Sequence, residues 1–308
     1  MAGAQGGRTT SGDLGRLIEK GVNAVINQSN KEYAPEYSDI LAVQSSEKAY
    51  ETDVPFGDFG VAKVKAKGAG LEYDDMVAGN SKKYQHITYA LGAQIEWEAM
   101  QDDQYQDLSV KAGQGLARAL NQTKEIVAAN VFNNGYGSTT TWDGQALFSA
   151  GHLLLKGGTM SNMLAVAAPL SEAALEDALI NISLFKDDGD RTIKVMPVSL
   201  HIAPANMFNA ERILKSTLQN DTANNATNAM RSMGVLPGGY KVNHFFTNSD
   251  NWFIKTDAMN GGKMFLRNPQ PITGMDDDFG TFDYRHKIAQ RWSVGVSDFR
   301  GYYGSGDN

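Results

Sequence analysis

The sequence predicts an α+β fold organised around one unusually long helix, and three observations carry that prediction. Residues 98–133, about ten turns of helix, hold apolar side chains at helical spacing: Tyr105, Leu108, Ala112, Leu116, Ala119, Leu120, Val127 and Val131. Residues 60–67, Gly-Val-Ala-Lys-Val-Lys-Ala-Lys, alternate small or apolar with basic residues, which is the period of a strand. After residue 240 the chain turns to short runs of strand character separated by Pro, Gly and Asp turns.

Each element follows in order. Residues 1–12 are small, polar and rich in glycine, and residues 13–28 read as a short amphipathic helix with Leu14, Leu17, Ile18, Val22, Val25 and Ile26 on one stripe. The run 60–67 pairs with a second strand-like run at 84–91, Tyr-Gln-His-Ile-Thr-Tyr-Ala-Leu, across an irregular tip at 68–83. A lone two-stranded ribbon is marginal in water, so this one needs another surface to lie on, in its own chain or a neighbour's. At ~1.5 Å per residue the long helix spans roughly 50 Å, and Asn133-Asn134-Gly135 supplies its stop.

Beyond an irregular stretch at 135–170, Ser171 caps a helix to about Phe185, with Leu175, Ala178, Leu179, Ile182 and Phe185 on its buried face. Val195–Ala203 reads as a strand, where Pro197 argues for an edge or a bulge. Asn206–Leu218 reads as a helix and the Asn-rich 219–232 as a loop. Strands are expected at 240–246, 252–256, 282–289 and 292–298, with turns at Pro269–Pro271 and Asp276–Asp278.

Composition limits the function. The 308 residues include no cysteine, which excludes disulfides, thiolate metal sites and thiol nucleophiles. A net charge of −7 argues against a broad basic face for nucleic acid. No apolar run approaches a membrane span, and the N-terminal residues lack the apolar core of a secretion signal. No phosphate-binding glycine loop, nucleophile elbow or helical metal-binding histidine pair is present. Gly113-Gln114-Gly115 starts like a dinucleotide fingerprint but sits inside a helix. The five histidines are isolated from one another, the Ser149/His152 pair has no oxyanion element beside it, and Asp187–Asp190 and Asp276–Asp278 read as solvated turns. No catalytic, cofactor-binding or metal residue is therefore expected, and no cofactor.

Three stretches resemble a known family. Trp97-Glu98-Ala99-Met100-Gln101-Asp102-Asp103 leads into the long helix, Asp143-Gly144-Gln145-Ala146-Leu147-Phe148-Ser149-Ala150-Gly151-His152 follows it, and Val296-Ser297-Asp298-Phe299-Arg300-Gly301 comes near the end. Together with the order of elements, they resemble tailed-phage major capsid proteins of the Hong Kong 97-type fold, and within them the Mu-like major head subunit branch.

The resemblance implies an N-terminal arm at 1–56, an E-loop at 57–92, and a P-domain at 93–164 whose spine helix is 98–134. It implies an A-domain at 165–265 and P-domain return strands with a tail at 266–308. The implied function is structural: self-assembly into pentamers and hexamers of an icosahedral head around double-stranded DNA, in a virion put together in a bacterial host's cytoplasm. The implied partners are other copies of the chain, a portal, a separate scaffolding protein, decoration proteins and weakly contacted DNA, with no membrane. Candidate contacts between copies are Leu14, Leu17, Ile18 and Val22 on the arm. On the ribbon they are Lys63, Val64, Lys65, Lys67, Lys82, Lys83, Tyr84 and Tyr89. The lysines lie where some relatives crosslink, although no partner motif for a crosslink is visible. Two alternatives stay open: an encapsulin-type shell around enzyme cargo, and a soluble hydrolase.

Overall fold

The computed structural model describes residues 34–96, 106–219, 226–278 and 283–306, together with Glu98, Gly280 and Thr281. The helix expected at 13–28, including Leu14, Leu17, Ile18 and Val22, lies outside the described residues, as do 99–105 of the expected spine.

Strand β12 (Tyr284–Val296) organises one half of the subunit. Along one edge it pairs antiparallel with β4 (Ile87–Ile95) over its first nine residues. Its other edge takes β11 (Ile272–Asp277) and then β10 (Gly262–Leu266), and β10 in turn pairs parallel with β1 (Ala42–Ser45). Alternation puts His286, Ile288, Gln290 and Trp292 of β12 on one buried face. Against that face lies α2 (Gln106–Asn133), the long helix, which stops at Asn133 as its sequence requires. Leu116, Leu120, Ala128, Val131 and Phe132 of α2 share a core with Met264, Ile288, Trp292 and Val296. Tyr89 stacks on Trp292 with ring centroids 4.1 Å apart, which fixes β4 to β12 through side chains as well as backbone.

The second half is a four-stranded sheet, β13 (Tyr302–Ser305), β9 (Trp252–Thr256), β7 (Pro197–Ile202) and β8 (Tyr240–Val242), in that order. Helix α3 (Glu172–Ser183) covers it through Leu175, Ala178 and Ile182, and Ser171 caps that helix by accepting from Ala174 N. The register of β7 on β9 slips between Pro197 and Ser199, so the proline sits at a strand start and a bulge. Helices α4 (Met207–Lys215) and α5 (Ala229–Met233) complete this layer.

Strands β9 and β13 weld the two halves. Phe253 and Tyr302 face the first core, while Trp252, Ile254 and Tyr303, their immediate neighbours, face the second. Gly261 and Gly301 meet at this seam, where a Cβ on Gly301 would lie 2.6 Å from the Gly261 Cα.

Several expectations are corrected. The run 60–67 is not a strand, because none of the described residues pairs with it. The run at 84–91 is two strands, β3 (Lys82–Gln85) and β4, broken at His86. Strand β3 pairs with β2 (Tyr50–Asp53) instead. The two expected final strands are one continuous β12, held straight by partners on both edges. The strand at 240–246 ends at Val242, β10 forms where no element was expected, and β11 runs into the turn expected at Asp276–Asp278. Residues 229–232, placed in a loop, belong to α5 behind the cap of Asn228, while 220–225 lie outside the described residues.

Candidate assembly surface

The loop between β2 and β3, residues 54–81, projects from a well-anchored root. The β2–β3 ribbon lies on the outer face of β12 and β10, where the Tyr84 ring packs edge-on against Phe265 at 5.1 Å. The ring fills the space above Gly295, whose absent side chain makes room for it. Tyr84 Oη donates to Ser297 Oγ, which donates to Asp53 Oδ2 at 2.5 Å, and Lys263 Nζ pairs with the same carboxylate at 2.6 Å. Burial is the main cause that pushes the Tyr84 phenol well above its ordinary range. His86 sits between Ser46 Oγ and Ser293 Oγ, at 3.1 and 3.0 Å, and burial holds its imidazole below the usual value.

Further out, Phe56 bridges Ala78, and Gly57 N donates to Val77 O. Gly79 is pressed between Leu155, Pro55 and Trp142, with a Cβ there only 2.7 Å from Leu155 Cδ2. Lys156 Nζ reaches Asp74 at 3.2 Å, and the N–H of Gly60 also donates to that carboxylate, which the two donors hold below its usual range.

Past this root, side chains lose their partners. Val64 is fully exposed, Tyr73 is 93% exposed, and Phe59, Val61, Leu71 and Met76 are more than half exposed. That is far more apolar surface on one projecting element than a solitary subunit normally shows to water. Among the residues expected at contacts, Val64, Lys63, Lys65 and Lys67 stand in this projecting part, Lys63 paired only with the exposed Glu72. Lys83 lies over the Tyr50 ring at 4.3 Å. Lys82 is drawn inward to Thr140 O at 2.6 Å, and burial pulls its ammonium below the usual value. Tyr89 is half-buried on Trp292. Tyr84 is a correction: strand alternation turns it inward between the outward Lys83 and Gln85, and its ring is used within the subunit.

The start of α1 is held by a carboxylate clamp that sequence reading missed. Glu125, fully buried on the spine helix, accepts from Glu36 N at 2.8 Å and Tyr37 N at 3.0 Å, capping α1 (Tyr37–Ile40) from 88 residues away. The Glu36 side chain accepts from His244 N at 2.9 Å and pairs with His244 Nδ1 at 2.5 Å. The arm is therefore tied at one point to the spine and to the loop after β8.

The two motifs near 143–152 and 296–301 meet in a buried polar hub. Asp143 Oδ2 faces His152 Nδ1 at 2.7 Å, and Thr141 Oγ1 donates to Oδ1. Burial pushes the Asp143 carboxyl up, but the bonds from His152 and Thr141 outweigh it and leave the group below its usual range. His152 Nε2 faces only acceptors, Leu147 O at 3.3 Å and Asn162 Oδ1 at 3.2 Å. Asn162 Nδ2 in turn donates to Leu147 O, Phe299 O and Tyr302 O. The His152 ring lies flat on Phe299 at 3.9 Å. Arg300 next to it pairs with Asp188 at 2.8 Å and Asp298 at 3.2 Å. Ser149 Oγ accepts from Gly151 N and takes no part with His152, so the pair is not a nucleophile and base. These residues build a joint.

A hollow of about 280 Å³ opens at the E-loop root, and neither histidine nor carboxylate lines it. Among the described residues no cluster of His, Asp or Glu is arranged to hold a metal ion. None of their helices is long and apolar enough to cross a membrane.

Comparison with known proteins matches this architecture. No curated protein gives a significant match. Among solved structures, the capsid of a native GTA particle aligns at TM-score 0.57 and 13% identity, over 89% of this chain and 90% of that one. The capsid of Ralstonia phage GP4 aligns at 0.55 and 11%, over 87% of each chain. A virus-like particle from Pyrococcus furiosus aligns at 0.52 and 8%, over 93% of this chain and 98% of that one. At such identities these likenesses give the fold, the Hong Kong 97-type capsid fold. A family model described as phage capsid protein matches residues 79–305, most of the chain. That match gives the role, a structural and non-enzymatic one exercised in many copies in a virion, and the chain belongs to the phage capsid protein family.

Proposed function

We propose that this subunit tiles a closed icosahedral head, as pentamers and hexamers, around double-stranded DNA. The observation that carries the reading is the E-loop: an element firmly rooted in its own chain whose outer apolar side chains have no partner there. Ordering such an element costs conformational entropy, which burial on a neighbour offsets at about 25 cal/mol per Å² of apolar area. Repetition around a closed shell multiplies modest contacts into a stable particle.

The arm at 1–56 and the E-loop at 57–92 serve in this reading as the reaching elements, with the two welded halves as the tile. A portal, a scaffolding protein and decoration proteins are the further partners, and assembly takes place in the cytoplasm of a bacterial host. Contact with packaged DNA is weak and non-specific, in keeping with a net charge of −7.

Electron microscopy of the purified assembled material tests this. Closed shells with DNA inside and one portal vertex are the expected result. Shells filled with cargo protein would move the subunit to an encapsulin-type role, and tight, salt-sensitive binding of duplex DNA by the isolated subunit would contradict the weak contact.

A further inference from the structure

The sequence holds two Asn-Gly pairs, Asn134-Gly135 and Asn260-Gly261. Asparagine is a chemically labile side chain, and a glycine after it leaves the next main-chain nitrogen unhindered. That nitrogen can attack the side-chain amide carbon and close a five-membered ring. In a folded chain the outcome depends on what holds the nitrogen and the amide.

The fold treats the two pairs differently. Asn134 follows the end of α2, and the Gly135 N–H donates to Phe132 O at 2.9 Å. Gly135 is buried, with the Phe148 ring 2.7 Å from where a Cβ would stand, and its carbonyl accepts from Phe148 N. Attack there must break a hydrogen bond and displace a packed ring.

Asn260 lies in the exposed turn between β9 and β10, at φ +60°, in the left-handed region that asparagine tolerates. The Gly261 N–H has no acceptor among the described residues. Lys263 Nζ donates to Asn260 Oδ1 at 3.1 Å, so a positive charge stands at the oxygen on which negative charge grows when the amide carbon is attacked. Asp53 Oδ2, 2.6 Å from the same Nζ, holds the ammonium in place.

We propose that Asn260 is a site of spontaneous deamidation, a slow covalent clock on the seam between the two halves. The Gly261 nitrogen bonds to Asn260 Cγ and gives its proton to water, and Nδ2 leaves as ammonia with a proton from water. Water then opens the succinimide at either carbonyl, giving aspartate or isoaspartate. Each product brings a carboxylate to Lys263, in competition with Asp53 at the root of the β2–β3 ribbon. Isoaspartate also lengthens the main chain by one carbon, where Asn260 O accepts from Asp298 N at 2.9 Å and Gly261 packs on Gly301. Deamidation therefore loosens the seam as the protein ages. The inference stands apart from the assembly reading.

The folded full chain and a urea-unfolded control are aged side by side at mildly alkaline pH, which favours attack by the amide nitrogen. Peptide mapping by mass spectrometry follows the exchange of NH2 for OH at each pair, and an isoaspartyl methyltransferase marks isoaspartate. In the folded chain Asn260 is expected to convert at least about fivefold faster than Asn134, the advantage of a hydrogen bond and packing that only Gly135 must give up. In urea the two rates converge. The amides of Ser297 and Asp298 exchange faster after ageing of the folded chain, and ageing leaves them unchanged in Asn260→Gln. Equal rates in the folded chain, or an intact Asn260 there while it converts in urea, overturn the proposal. Conversion that leaves the Ser297 and Asp298 amides unchanged overturns its effect on the seam. A lasting loss of ammonia that blocks trypsin at Lys263 also overturns it, because the lysine rather than Gly261 would then have taken the carbonyl.

Discussion

The E-loop and the sheet around β12 both carry apolar side chains at regular spacing, yet only one of them folds onto its own chain. In the sheet, every apolar residue of β12 from Ile288 to Val296 on the α2 face has a partner from α2, β4 or β10. In the β2–β3 loop beyond Gly57 and Gly79, Val61, Val64, Leu71 and Tyr73 stay largely exposed among the described residues. The comparison teaches that equal patterning serves two ends. Where the partner is supplied within the chain, the pattern produces stability; where it is not, the pattern leaves exposed apolar surface, which is the surface proposed above to meet another copy.

Substitutions should separate the two regions. The largest effect is expected from Trp292→Ala, which empties the site stacked on Tyr89 and costs about 3–5 kcal/mol, a drop of roughly 10 °C in the thermal midpoint of the subunit. Asn162→Ala comes next. It removes the amide that bridges Leu147 O, Phe299 O and Tyr302 O and should lower unfolding free energy by about 1–3 kcal/mol in urea titration, whereas a peripheral role would leave the midpoint unchanged.

A third test uses pH. Burial, helped by Lys255 and Lys241, lowers the buried His201 to about 3, against about 6.5 in an unfolded chain. The unfolded state therefore binds the extra proton first. The stability held by neutral His201 is complete above pH 6.5 and falls as pH drops from 6.5 towards 3. Between pH 7 and pH 5 the subunit should lose about 2 kcal/mol that His201→Gln does not lose, and parallel losses in both would break the assignment.

At the E-loop root, Gly79→Val is expected to cost about 1–3 kcal/mol, because its side chain meets Leu155, Pro55 and Trp142. It should also misdirect the loop and lower particle yield. The smallest effect on the subunit belongs to Val64→Asp, within about 0.5 kcal/mol by thermal unfolding, since the site is solvated. Assembly, followed by sedimentation, should nevertheless fall sharply. A variant that assembles normally would show that Val64 has no neighbour.

Much of the architecture was legible before any coordinates. The long helix, the cap at Ser171 and the strands at 195–203 and 252–256 follow from local period and capping chemistry, whereas the Asp143–His152 and Val296–Gly301 motifs carried only a family resemblance until the fold brought them together. The stretch 60–67 reads as a strand by period and is none in the subunit, because strand pairing is a property of two segments and only one is present. Glu125 looks like any helix-face glutamate until Glu36 and Tyr37, 88 or more residues earlier, place their N–H groups on it. Asn162 likewise takes its meaning from carbonyls near residue 300. Local chemistry determined which segments become helix or strand, since period, caps and turn residues act within a few positions. Which face is buried, which edge stays open and which polar group becomes a clamp were decided only by the tertiary structure, because burial and hydrogen-bond satisfaction depend on partners brought together by the fold.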